Sequence, residues 1–289
     1  MMIAAVTYST DNFKSVRKLN VISAYKKGKA DLVFEYTQED IDENFKESNK
    51  KILSYKRGAG LWLWKPYVIN KALKLINDGD YLIYSEAASI YIRPIQYLVC
   101  SLEKSGQDIM VFGLPLVSEQ WTKHETFVRM HCENEGFEKK NQISASFILV
   151  KKSLFSVTFI KEYLSFCCDE ATISSVQFDQ RIENSKNYIA HREDQSVFSL
   201  LSMKYKLKTF RDPSQFGIRP WEYILSKEVI FNPIVYQNSS YPVIFMHTRK
   251  GINFMFWIKE FLKRLLITFP VYINWEISRR QQSSKAHHS

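Results

Sequence analysis

Asp78-Gly79-Asp80-Tyr81-Leu82-Ile83-Tyr84-Ser85-Glu86-Ala87-Ala88-Ser89-Ile90-Tyr91-Ile92 is the stretch from which the fold is read. Its opening triplet predicts a tight turn, because glycine tolerates positive φ and aspartate side chains hydrogen-bond their own backbone. Tyr81 to Tyr84 is an apolar run too short for a helix and rich in β-formers, which predicts a buried strand. The strand stops at Ser85-Glu86-Ala87-Ala88-Ser89, where one carboxylate stands among small residues. Small neighbours let a charged ligand approach the backbone, and the carboxyl end of a strand in an open α/β sheet is where such ligands lie. Glu86 is therefore the first candidate functional residue, although one glutamate taken alone is more often a solvated carboxylate in a surface loop.

Towards the amino terminus, Ile3 to Thr7 is a second apolar run, ending in the polar loop Tyr8-Ser9-Thr10-Asp11. As a first strand it would place Thr7, Tyr8 and Asp11 at the carboxyl edge of the sheet, where a nucleotide could lie. Phe13, Val16, Leu19 and Ile22 have helical spacing over Phe13 to Lys26, and Leu32 to Tyr36 reads as another strand. Gln38 to Lys51 is a charged stretch, predicted as solvated helix or loop. Arg57-Gly58-Ala59-Gly60-Leu61-Trp62-Leu63-Trp64-Lys65-Pro66-Tyr67 combines two glycines, two rigid indoles and two cations suited to phosphates. Trp62 and Trp64 serve equally as core anchors in this reading. Tyr67 to Ile76 continues as an amphipathic helix.

Towards the carboxyl terminus, Pro94 to Lys104 reads as a helix, Ile109 to Gly113 as a strand and Glu119 to His124 as an acceptor-side loop. Gln142 to Val150 is a strand preceded by small polar residues, with a helix following over Leu154 to Cys167. His191-Arg192-Glu193-Asp194-Gln195 crowds five polar groups at a helix start, where Asp194 or a neighbour would cap the helix. Asp212 to Gly217 is a turn. Val243 to Lys250 reads as a final strand that delivers His247, Arg249 and Lys250 to its end. Beyond it, Phe254, Trp257, Ile258, Phe261, Leu262, Leu265 and Phe269 fall at helical spacing opposite Lys259, Glu260, Lys263 and Arg264. With Arg279, Arg280 and Lys285 following, this describes a helix lying in the headgroup layer of an anionic membrane, or one packed on the domain.

At 289 residues the chain can bury a full core in one large α/β domain. The formal charge of +10 favours a polyanionic partner. Cations concentrate in the tail and at strand ends rather than alternating with aromatics across one face, so no nucleic-acid partner is expected, although a basic nucleic-acid-binding protein remains an alternative. Cys100, Cys132, Cys167 and Cys168 show no metal spacing and read as reduced, cytosolic thiols. The first residues lack a basic flank and a long apolar core, so no signal peptide is expected, and no uncharged apolar run approaches a membrane span.

The order Tyr84-Ser85-Glu86-Ala87-Ala88, then Gln142-Ile143-Ser144-Ala145-Ser146-Phe147, then Asp194-Gln195-Ser196-Val197, then His247-Thr248-Arg249-Lys250 resembles the GT-A glycosyltransferases of bacterial surface-polysaccharide gene clusters. It is more distantly similar to the glycogenin-like, lipooligosaccharide galactosyltransferase family. The resemblance implies a GT-A, Rossmann-like mixed sheet flanked by helices over residues 1–250, with an amphipathic helical tail over 251–289. It implies transfer of a hexose from a nucleotide-sugar, UDP-hexose foremost, to a lipid-linked acceptor in O-antigen, capsule or lipopolysaccharide assembly, on the inner face of the cytoplasmic membrane. A catalytically inactive scaffold tethered to membrane is the alternative. In such enzymes an Asp-x-Asp motif holds Mn2+ or Mg2+ on the diphosphate; here Glu86 matches the first carboxylate and Ala88 replaces the second. The implied metal ligands are Glu86 and His247, with Arg249 and Lys250 as alternative neutralisers. The implied donor-binding residues are Thr7, Tyr8 and Asp11 for base and ribose, then Arg57, Lys65, Ser85 and Glu86. Asp194 is the implied base, Glu193 the second choice, and Gln195 lines the sugar.

Overall fold

The computed structural model describes residues 1–133, 135–247 and 254–282. Its strands are β1 (Ile3–Tyr8), β2 (Leu32–Tyr36), β3 (Tyr81–Ser85), β4 (Ser89–Tyr91), β5 (Ile109–Val117), β6 (Asn141–Lys151), β7 (Thr209–Arg211) and β8 (Phe245–His247). The helices of ten residues or more among the described residues are α1 (Lys14–Ser23), α2 (Trp64–Leu73), α3 (Gln96–Ser105), α4 (Leu154–Cys167), α5 (Glu193–Lys204), α6 (Phe254–Leu266) and α7 (Pro270–Gln281). Six strands form one sheet in the order β2-β1-β3-β6-β5-β7. β1 runs parallel to β2 and β3, β5 runs parallel to β7, and β6 is antiparallel to both its neighbours. The chain leaves β1 outward to β2 and returns across it to β3, so a crevice opens at the carboxyl ends of β1 and β3.

Alternation along the strands divides the core. Ala4, Val6, Leu82 and Tyr84 face one layer with residues of α2, α4 and α5, whereas Ile3, Ala5, Tyr81 and Ile83 face the other with α3. The turn before β3 forms as its sequence requires: Gly79 takes φ +85°, and Asp80 accepts from the Met2 N–H at 2.7 Å and the Asn77 N–H at 3.1 Å. The turn thereby ties β3 to the chain terminus.

Several expectations are corrected. α1 does not bury its apolar stripe: Phe13, Leu19 and Ile22 are exposed, while Arg17 and Asn20 face inward. Two specific polar partnerships outweigh apolar periodicity here, since Arg17 pairs with Glu35 at 2.7 Å and Asn20 holds the loop after β3. α2 is buried nearly all round rather than amphipathic, with Lys65 among its buried residues. Among the described residues the final strand is Phe245–His247, beginning two residues later than expected, and it pairs with β4 in a separate two-stranded sheet. Glu119–Lys123 is not an acceptor loop but interior structure, where Glu119 accepts from Lys139, Ser185 and Asn187.

The tail forms two helices. Their polar side is turned inward: buried Arg219 donates to Glu260 of α6 at 3.0 Å and to Glu222 at 2.8 Å, and Lys263 donates to the same Glu222 at 2.9 Å. Phe261, Leu262, Leu265 and Phe269 are left exposed on the opposite side. No helix among the described residues is long and apolar enough to cross a membrane. Arg249, Lys250 and Lys285 lie outside the described residues.

Candidate active site

Glu86 is the first residue beyond β3. Its N–H donates to Ser146 O of β6 at 3.1 Å, and its own carbonyl receives the Ser89 N–H at 2.9 Å. Asn20 of α1, almost fully buried, donates its amide to Ser85 Oγ at 2.9 Å, to Glu86 O at 3.2 Å and to Ser89 O at 2.7 Å. One side chain thus closes the loop by using up its carbonyls, and the Glu86 carboxylate is presented outward. Ser85 itself is buried and bonded to Asn20 and Tyr91, so it supports the loop rather than meeting a ligand.

His247, at the end of β8, brings Nε2 to 3.8 Å from Glu86 Oε2. Gln215 fixes it from the backbone side, accepting from His247 N–H at 2.9 Å and donating to His247 O at 2.8 Å. Ser89 Oγ lies 3.0 Å from Nδ1. These two residues are the expected metal ligands, but among the described residues their donor set stops at two. No group of three His, Cys, Asp or Glu able to hold a metal occurs among the described residues, consistent with Ala88 at the position of the missing carboxylate. The described residues alone do not fit a resident divalent cation.

Glu86 and His247 open onto a cavity of about 520 Å3 at the carboxyl edge of the sheet, walled also by Arg57, Trp62, Lys65, Ser146 and Glu193–Gln195. Its far wall rests on two ion pairs, one fully buried and one with its cation half-exposed. Lys65 Nζ donates to Asp194 Oδ2 at 2.6 Å, and Tyr163 donates to the same oxygen at 3.0 Å. Arg57 grips Glu193 with Nε and Nη2. Burial raises the pKa of both carboxyls, and the cations and the Tyr163 hydroxyl only partly oppose it. Asp194 does not cap its helix; it is turned into the cavity wall by Lys65. Gln195 is held by Gln142 Oε1 at 2.9 Å. His191 turns away from the cavity into the core, accepting from the Lys123 N–H at 3.3 Å, and burial pushes its pKa down to about 3.

The glycine-rich segment before α2 shapes this wall. Gly58 to Trp62 runs through consecutive positive φ values, with Gly58 at +59° and Gly60 at +98°. A Cβ on Gly58 would come within 2.2 Å of the Trp62 ring, so that position admits no side chain without moving the indole. The two tryptophans divide their roles. Trp62 lines the cavity under the Arg57 guanidinium, at 5.7 Å from its ring, whereas Trp64 is buried and stacks on Tyr8 at 4.1 Å.

The structure does not bring the expected base and ribose residues to this cavity. Thr7 is buried within β1, Tyr8 is covered by Trp64, and Asp11 is exposed at the start of a short turn. Tyr8 borders a different opening, with Gln38, Lys46 and Lys56. Conversely, Asp212 and Glu222 line the main cavity, and neither was marked by the sequence. Asp212 follows β7 and accepts from the Ser214 N–H at 2.7 Å and from Tyr223 Oη at 3.1 Å. Its position just past a strand end was the only available signal.

No family model matches the chain, and no curated protein matches it. Among solved structures, mouse xyloside xylosyltransferase 1 in its apo form is similar over 87% of this chain and 99% of its own, at 11% identity and a TM-score of 0.44. An active-site mutant of LgtC is similar over 94% and 99%, at 12% identity and a TM-score of 0.45. The apo WbbM bifunctional glycosyltransferase is covered over 52% of its length by 98% of this chain, at 10% identity and a TM-score of 0.43.

Proposed function

We propose that the chain is a GT-A type glycosyltransferase, moving a hexose from a nucleoside-diphosphate sugar, UDP-hexose foremost, to a lipid-linked oligosaccharide of bacterial surface-polysaccharide assembly. The observation that carries this is the convergence of Glu86, His247 and the Glu193–Gln195 helix start on one cavity at the carboxyl edge of the sheet. Its volume of about 520 Å3 is that of a small-molecule site.

Breaking the anomeric bond leaves negative charge on the departing diphosphate, so preorganised positive groups must face it. Arg57 and Lys65 line the cavity but are already paired with carboxylates, and Arg192 is stacked over the Trp121 ring. The remaining charge falls to Arg249 and Lys250, which follow His247 in the sequence. Glu86 accepts from donor hydroxyls in this reading, and no step passes through a metal. For an inverting transfer Asp194 takes the acceptor proton, with Glu193 second; their raised pKa values bring them closer to neutral operating pH. For a retaining transfer Asp194 and Gln195 line the sugar face instead.

The tail supports a membrane-bound acceptor. Arg219 and Glu222 engage Glu260 and Lys263, which leaves Trp257, Phe261, Leu265 and Phe269 exposed on a chain of net charge +10. An apolar ridge on a cationic protein suits the headgroup layer of an anionic bilayer, here the inner face of the cytoplasmic membrane.

A thermal-shift screen of UDP-, GDP- and CMP-sugars tests the reading. One nucleotide class at a hundredfold excess over Kd is expected to add about 2.7 kcal/mol of stability. No stabilisation by any of the three classes would end it.

A further inference from the structure

A second cavity, of about 330 Å3, adjoins the first across a wall of Asp212, Phe216 and Tyr223, which line both. Beyond that wall stand Arg211, Val235 and Tyr236. The Tyr236 hydroxyl donates to Gly113 O at 2.8 Å, and a Cβ at Gly113 would approach that hydroxyl to 2.8 Å, so the ring sits directly against strand β5. The cavity therefore has fixed aromatic surfaces.

Its polar provision is unequal. The Asp212 carboxylate is occupied by the Ser214 N–H and the Tyr223 hydroxyl. The Arg211 guanidinium donates from Nη2 to Tyr241 O, while its Nη1 is buried with no hydrogen-bond partner among the described residues. A buried cationic N–H left unpaired carries an unrecovered desolvation cost, which an incoming oxygen would relieve. Flat rings beside one unsatisfied guanidinium donor match the chemistry of a sugar, which offers an apolar C–H face and peripheral oxygens. The volume lies at the small end of ligand sites.

We propose that this second cavity binds the acceptor saccharide, holding the sugar unit next to the one that receives the transferred hexose. An oxygen of that unit accepts from Arg211 Nη1, and its ring rests against the aromatic wall. The proposal rests on the transferase reading of the first cavity and deepens it. The lining residue Pro220 begins the turn whose Glu222 is bound by Lys263 of α6. The second cavity is thus built on the segment that anchors the tail helices, the side from which a lipid-linked chain would enter.

The test uses the full chain and saturation-transfer NMR with methyl glucoside, methyl galactoside, lactose, maltose and chitobiose, each with and without UDP. Val235 is 95% exposed, so Val235→Trp narrows the cavity without a core penalty. Arg211→Lys keeps a charge but loses the guanidinium fork. At least one disaccharide is expected to bind the wild type, and to bind about tenfold or more weakly to either variant, with UDP affinity unchanged. Binding of that disaccharide equally to wild type and both variants would overturn the proposal, as would UDP binding without a signal from any disaccharide. Disaccharide binding that depends on Arg211 in a chain that binds none of UDP, GDP and CMP would uphold the saccharide site and end the transferase reading instead.

Discussion

Replacing Lys65 with methionine removes the ammonium facing Asp194 while keeping most of the side-chain volume. Both members of the pair are almost fully buried, with side-chain exposures of 2% and 5%, and their atoms are 2.6 Å apart. Removing one partner of such a pair strands a buried charge, at a cost of about 3–5 kcal/mol. That is a large part of the roughly 5–15 kcal/mol that holds a domain folded. The pH dependence has a defined sign. Burial already raises the Asp194 pKa and Lys65 opposes the shift, so Lys65→Met raises it further. A carboxyl raised in the folded state contributes most favourably below its unfolded pKa, and that contribution is lost as pH rises through the folded value. The stability deficit of Lys65→Met is therefore small in acid, grows as pH rises through the raised pKa and levels off above it. Urea unfolding from pH 4 to pH 8 measures this, and Lys65→Met/Asp194→Asn should recover most of the loss at pH 8. A deficit independent of pH, or a double variant as unstable as the single one, would refute the buried-pair reasoning.

Three further outcomes follow from the geometry. Gly58→Ala, at φ +59° and 2.2 Å from the Trp62 ring, should destabilise the fold by about 1–3 kcal/mol and weaken nucleotide-sugar binding, measured by calorimetry. Phe261→Ser with Leu265→Ser should abolish sedimentation with anionic liposomes while leaving the melting temperature nearly unchanged, because both side chains are exposed. Turnover should survive EDTA, since among the described residues only Glu86 and His247 meet where a divalent cation would need further oxygen ligands; loss restored by manganese would assign them to a metal.

The sheet was legible because β1, β2, β3 and β6 are compact runs of β-formers bounded by turns, and the interior position of β1, β3 and β6 needs nothing beyond composition and length. α1 was misread because its inward face is polar, chosen by the carbonyls and carboxylate it must meet rather than by hydrophobicity. Glu86, His247, Asp194 and Glu193 could be named because each sits at an element boundary, where side chains reach a sheet edge. Asn20, Gln215 and Asp212 escaped notice because each is defined by a partner distant in sequence, and no local pattern encodes such a contact. The tail could be read as amphipathic, but not which side would face the protein. Arg219, deep in the body, makes that choice by pairing with Glu260.

The most direct test of the account is hydrolysis of the stabilising nucleotide-sugar by wild type and by Glu86→Gln, a change that removes the charge but keeps the size. The wild type should release the nucleoside diphosphate, and the variant should be slower by about a hundredfold or more with its fold intact. Equal rates in the two proteins, or tight nucleotide-sugar binding without any turnover in the wild type, would contradict it.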